Sequence, residues 1–227
     1  MAFQLDQIVP WGRSFDEYTR MFSLNVNEER ILGCGDGPAS FNATMHRMGN
    51  YMVSVDPLYS FSSTEIRERI QEVYPTIIEQ LLANQSAYVW TMIRSPQDLG
   101  RLRMEIMEEF LEDFELGKSE GRYLHHELPE LPFEAGQFDL ALCSHLLFTY
   151  SERLSREFHC QAMLEMCRVA KEVRVFPLLN QDGQPSLHLD PVCRCLKENG
   201  YYFKIEPVDY EFQRGSNRML RIRACNP

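Results

Sequence analysis

Between residues 29 and 56 the spacing of apolar positions changes period twice. Ile31 and Leu32 begin a short apolar strand that runs into a turn holding Gly33, Gly35 and Gly37. Phe41, Met45 and Met48 then recur at i, i+4 and i+7, the spacing of one helical face. Gly49-Asn50 closes that helix. Val53 and Val55 supply a second, β-branched strand ending in Asp56. Strand, glycine turn, helix and strand make one unit of an open parallel sheet, where ligands bind beyond the carboxyl ends of the strands. Glycine permits positive φ and lets the backbone approach a ligand, because no Cβ stands in the way. Pro38 suits the first position of the helix, where a missing N–H costs nothing. Asp56 follows Gly37 at close to the 20-residue interval of acids that accept hydrogen bonds from ribose hydroxyls.

The remaining pattern is mostly helix and strand in alternation. Pro10-Trp11-Gly12 reads as a turn, and Ser14 with Glu17 as a capping box. Phe15, Tyr18, Met21 and Phe22 continue at helical spacing, so a helix covers about 14–24. It either packs on the sheet edge or closes over the site as a lid bringing Arg13, Tyr18 or Phe22. Residues 60–118 are far longer than a plain crossover requires. Ile66, Ile70 and Val73 form one stripe, Pro75 should kink or break the helix, and Ile77, Ile78, Leu81 and Leu82 resume it. Ser95-Pro96-Gln97-Asp98 starts a further helix, with an N-cap, a proline at the first position and an acid at the third. Leu99, Leu102, Ile106, Phe110 and Phe114 hold its period as far as Gly117, and Glu105, Glu108, Glu109, Glu112 and Asp113 form a solvated opposite face. This stretch reads as an inserted helical cap. Strands follow over 122–126 and 138–143, with the pair His125-His126 straddling the first, one side chain in and one out. A helix over 155–170, a strand over 173–176, a helix over 189–199 and two last strands over 201–205 and 219–222 complete the chain, with no internal repeat.

Composition narrows the function. With 227 residues, one domain with an elaboration and a large core is expected. A net charge of -10 gives no electrostatic reason for nucleic-acid or anionic-membrane binding. No apolar run is long enough for a bilayer, and the first residues lack the basic and apolar regions of a signal peptide. Seven cysteines, an odd number without a secretion signal, read as reduced thiols in the cytoplasm. Cys193 and Cys195 lie in a helical pattern with no second pair at zinc spacing, so no metal is expected. Cys34, inside the glycine turn, suits a tight space better than reactivity.

Two cofactor classes use a glycine turn followed by such an acid. The dinucleotide fingerprint requires a third small residue where this chain has Pro38, which counts against NAD and an oxidoreductase. The order Gly33-x-Gly35-x-Gly37 instead resembles the first motif of class I S-adenosylmethionine-dependent methyltransferases. Leu131-Pro132-Phe133, and then Gly136-Gln137-Phe138-Asp139-Leu140-Ala141-Leu142-Cys143-Ser144-His145, resemble the fourth-strand signature of that family, particularly of members acting on small molecules. The resemblance runs from the glycine turn to the C-terminus, interrupted by 60–118. It implies an α/β fold: a Rossmann-like, mostly parallel seven-stranded sheet in the order 3-2-1-4-5-7-6, with the last strand antiparallel and helices on both faces. It implies S-adenosyl-L-methionine as cofactor, held by Gly33, Cys34, Gly35, Asp36, Gly37, Asp56 and Pro57, with Glu127 at the adenine amino group, Leu128 near the ring and Ser144 beside the methyl-transfer site. The family has an acid at the position of Ile31, near the cofactor's amine; Asp36 or a backbone carbonyl is left to replace it. His145 is the candidate catalytic base, since its ordinary pKa near 6.5 lets it take a proton around neutrality; its other reading is a neutral histidine at a strand end. Tyr150 and the pair His125-His126 are weaker candidates. The expected function is methyl transfer to a small-molecule acceptor, and the alternative is a methyltransferase-fold protein that binds cofactor or a partner without catalysis.

Overall fold

The computed structural model describes residues 9–25 and 30–224; the reading of the first eight residues and of Glu29 lies outside the described residues. A capped helix α1 (Phe15–Phe22) precedes β1 (Arg30–Cys34), α2 (Phe41–Arg47) and β2 (Tyr51–Val55). Two long helices, α3 (Ser63–Ala83) and α4 (Pro96–Ser119), stand between β2 and β3 (Tyr123–Leu124). Then come β4 (Phe138–Ser144), α5 (Arg156–Val169), β5 (Ala170–Phe176), α6 (Leu189–Glu198), β6 (Tyr201–Pro207) and β7 (Arg218–Ala224). The seven strands form one sheet in the order β3-β2-β1-β4-β5-β7-β6. Only β7 runs antiparallel to its neighbours, β5 and β6. The expected order is therefore observed.

Period-two alternation sends successive residues of the central strands to opposite faces. Leu32, Cys34, Ala141, Cys143 and Val173 join one buried layer with Met163 and Met166 of α5. Ile31, Leu140 and Leu142 join the other, with Tyr18, Met21 and Phe22 of α1 and Phe41 of α2. Sheet burial on both faces matches near-continuous apolar runs in β1 and β4.

Several local expectations change. The helix after the glycine turn begins at Phe41 rather than at Pro38; residues 38–40 instead hold the N-terminal segment, with the Ser40 amide donating to the Arg13 carbonyl at 3.2 Å. Pro75 does not break α3, which runs unbroken for 21 residues. Pro75 and Gln71, the residue whose carbonyl loses its donor, are both exposed, so water can serve that carbonyl. α4 continues past Gly117, which is buried against Tyr123. The third strand is two residues rather than five, because the His126 amide turns back to the Leu124 carbonyl at 2.9 Å. His125 and His126 are consequently both exposed and do not straddle the sheet. The acidic face of α4 is not simply solvated: Glu108 pairs with Arg67 of α3, Glu109 with Arg47 of α2, and Asp113 holds Arg122 at 2.7 and 2.8 Å. Glu105 and Glu112 remain exposed.

Candidate active site

The carboxyl ends of β1, β2 and β4 open on a cavity of about 1100 Å³. That is at the upper end of the roughly 300–1,000 Å³ of ligand pockets. Its sheet-side rim is the turn after β1. Gly35 and Gly37 have φ of 70° and 54°, conformations that cost a side chain but not glycine. The Gly35 amide donates to the Val55 carbonyl at 2.9 Å, and the Gly37 amide to Asp56 Oδ2 at 2.8 Å. The Gly37 carbonyl accepts the Tyr59 hydroxyl at 2.8 Å. At Gly33 the demand is space: a Cβ there would stand 1.7 Å from Asp36 Oδ2. Gly33 and Cys34 are the last residues of β1 and shape the turn from below without lining the cavity. Burial pushes the Cys34 thiol well above its ordinary pKa, so it stays protonated.

Three acids share this rim. Asp36 is buried and accepts the Tyr18 hydroxyl at 2.8 Å and the Ser54 hydroxyl at 2.6 Å. Burial pushes its pKa up to about 6 despite those two hydrogen bonds, and the Asp56 charge adds to the rise. Asp56, at the end of β2, accepts the Gly37 and Leu58 amides, each at 2.8 Å. Burial raises its pKa too, the two amides oppose the rise, and the Glu127 charge adds to it. An ionised carboxylate has about four acceptor positions, so two remain for a ligand. Pro57 opens the one-turn 3-10 helix Pro57–Ser60 at the same edge. Glu127 is exposed on the rim with Leu128 buried beside it, and Pro57, Glu127 and Leu128 all line the cavity. Ile31 points instead into the core layer with Tyr18 and Phe41.

The end of β4 supplies Ser144 and His145, and both face the cavity. His145 has φ 53°, its amide donates to the Phe176 carbonyl at 2.7 Å, and its Nδ1 lies 2.9 Å from Ser144 Oγ. Burial holds its pKa well below the ordinary value, and the charges of Arg13 and Arg103 lower it further. His145 is thus neutral at neutral pH, able to accept a proton but weakly basic. Tyr150 lines the cavity with its phenol pKa raised by burial.

Two functional-looking residues escape sequence reasoning. Arg103 is wholly buried and lines the cavity, with its guanidinium bidentate to Glu17 at 2.5 and 2.6 Å. Tyr210 donates to the same carboxylate at 2.7 Å. Burial alone would raise the Glu17 pKa, but the Arg103 guanidinium holds it well below the usual carboxylate range. The signal for Arg103 was its place on the apolar stripe of α4, between Leu99 and Ile106, Met107 and Phe110. Tyr210 carries no such signal. Among the described residues no group of three or more His, Cys, Asp or Glu could hold a metal ion, and no helix is long and apolar enough to cross a membrane.

The strand order, the antiparallel seventh strand and the glycine turn over the central strands define the class I methyltransferase fold. Among solved structures, mitomycin 7-O-methyltransferase MmcR superposes with a TM-score of 0.50 at 12% identity, covering 93% of this chain and 54% of that one. Magnesium protoporphyrin IX methyltransferase of Synechocystis PCC 6803, solved with bound SAM, gives 0.45 at 12% identity, covering 88% and 72%. No family model matches the sequence. The chain is 32% identical over 222 residues to uncharacterized protein MJ0045 of Methanocaldococcus jannaschii, across 96% of this chain and 97% of that protein. It belongs to the same family as that protein.

Proposed function

We propose that the chain is an S-adenosylmethionine-dependent methyltransferase acting on a small molecule. The observation that carries this reading is the glycine turn facing open space, with Asp56 and Glu127 on the same rim: a Cβ at Gly37 would meet nothing within 4 Å. The residues present fit the cofactor. Asp56 keeps two acceptor positions for ribose hydroxyls. Glu127 is free to accept from the adenine amino group, with Leu128 and Pro57 as apolar neighbours. Asp36, which lines the cavity, is the acid assigned to the cofactor's amine in place of the one missing at Ile31, and Gly33 leaves room for its carboxylate to fold back against β1. When bound, the cofactor supplies a methyl already activated on a sulfonium.

Orientation then carries much of the rate, up to about 7–11 kcal/mol in well-aligned intramolecular reactions. Ser144 and His145 fix the floor at the strand end, while α3 and α4 wall off the far side with Ile77, Leu81 and Leu99. Enclosure by a helical cap suits a small acceptor rather than a polymer. His145, kept neutral by burial and by two nearby guanidiniums, accepts a hydrogen bond or a proton from the acceptor in its neutral form. The test is incubation of the folded protein with methyl-labelled cofactor and a small-molecule cell extract. Label in a new low-mass product supports the reading; cofactor binding without transfer to any acceptor favours the non-catalytic alternative.

A further inference from the structure

Arg13 and Arg103 bring two guanidiniums to one wall of the cavity, and a single carboxylate answers them. That carboxylate, Glu17, is fully used: it accepts both Arg103 Nη atoms, the Tyr210 hydroxyl and the Ser14 amide. Arg13 has no carboxylate at ion-pair distance among the described residues; its Nη1 donates to the Trp11 carbonyl at 2.6 Å. The Nε atoms of Arg13 and Arg103 are both buried without a hydrogen-bond partner. Arg13 is only half-buried and lines the cavity, so its charge, with no ion-pair partner within the described residues, is open to a group that arrives from outside the chain. The cavity is electrically divided. The charged neighbours of Asp56 are Asp36, Glu127 and His125, whereas those of Arg13 are Arg103 and Glu17.

We propose that Arg13, backed by Arg103, is the receptor for a carboxylate on the methyl acceptor, which makes the acceptor a small carboxylic acid with an apolar or aromatic body. Two cations against one carboxylate leave one positive charge, the complement of a monoanion rather than of a phosphate dianion. Planar, multi-donor guanidinium is suited to carboxylate. The body of the acid would lie against Trp11, Leu81, Leu99 and the stacked pair Tyr88 and Phe212, whose ring centres are 4.9 Å apart. Arg13, Ser144 and His145 line the same cavity, so the anchored acid shares it with the end of β4. This assignment rests on the methyltransferase reading for the word acceptor, but the anion site stands on its own geometry.

The test is calorimetric titration with benzoate and with benzamide, its neutral near-isostere, on protein loaded with S-adenosylhomocysteine. Benzoate is expected to bind at least about tenfold more tightly. Arg13→Gln should abolish the preference, and Arg13→Lys should keep part of it. Equal binding of the two probes, or no binding of benzoate, overturns the proposal. So does an Arg13→Gln variant that weakens S-adenosylhomocysteine but not 5′-methylthioadenosine, because the guanidinium would then serve the amino-acid tail of the cofactor. If S-adenosylhomocysteine itself does not bind, the methyltransferase reading fails, and the same pair of probes on ligand-free protein decides the anion site by the same criterion.

Discussion

Asp36 is the residue at which stability and function pull apart. Its folded pKa of about 6 lies above the ordinary 3.8 because burial penalises the charge. A carboxyl so raised favours folding while protonated, and that contribution is lost as pH climbs from about 4 through 6. Asp36→Asn stays neutral throughout. It is expected to raise stability at pH 7.5 by ~1–3 kcal/mol, with little change at pH 4, in thermal melts at the two values. The same substitution removes the acid proposed for the cofactor's amine, so S-adenosylhomocysteine affinity should fall about tenfold or more. In the unsubstituted protein that affinity should strengthen as pH rises through about 6, as Asp36 ionises. Position and residue type were legible here: an acid between two glycines, five residues after the position of the missing acid. Its hydrogen bonds were not, since Tyr18 and Ser54 reach it from α1 and β2, each 18 positions away in sequence.

At the scale of elements, one carboxylate shows what sequence reasoning reached and where it stopped. Ser14 and Glu17 were readable as a capping box, and the structure forms it: the Glu17 amide donates to Ser14 Oγ and Glu17 accepts the Ser14 amide. Local spacing cannot reveal that Glu17 also binds Arg103 and Tyr210, 86 and 193 residues away. The two roles predict different costs. Ser14→Ala should destabilise by about 1 kcal/mol as a lost cap. Glu17→Gln leaves Arg103 buried and uncompensated, and should cost about 3–5 kcal/mol in urea unfolding. Equal costs would mean the ion pair contributes nothing beyond the cap. The acids of α4 carry a similar lesson. Their helical face was clear from periodicity, but partners from α2, α3 and the residue before β3 depend on how the helices pack. The short β3 has the same origin, because an edge strand has only β2 to pair with and residues 125 and 126 offer no apolar alternation to extend it.

For the molecule as a whole, the sheet was the most legible part. Strands with near-continuous apolar runs, separated by helical stretches and closed by two strands in succession, leave few topologies that respect right-handed crossovers. The glycine turn and the acid at the end of β2 then fall on one rim by construction, because parallel strands bring their carboxyl ends together. The charge pattern of the cavity was not legible. A chain of net charge -10 gives no hint that Arg13 and Arg103 line the same cavity as Asp36, Asp56 and Glu127. That the acidic rim holds S-adenosylmethionine is the proposal on which the others rest. Its most direct test is calorimetric titration of folded protein with S-adenosylhomocysteine, beside an Asp56→Ala variant confirmed to be folded. Saturable one-to-one binding, weakened about tenfold or more in the variant, is the predicted result. No binding to the folded, unsubstituted protein, or equal affinity in the two, would contradict it.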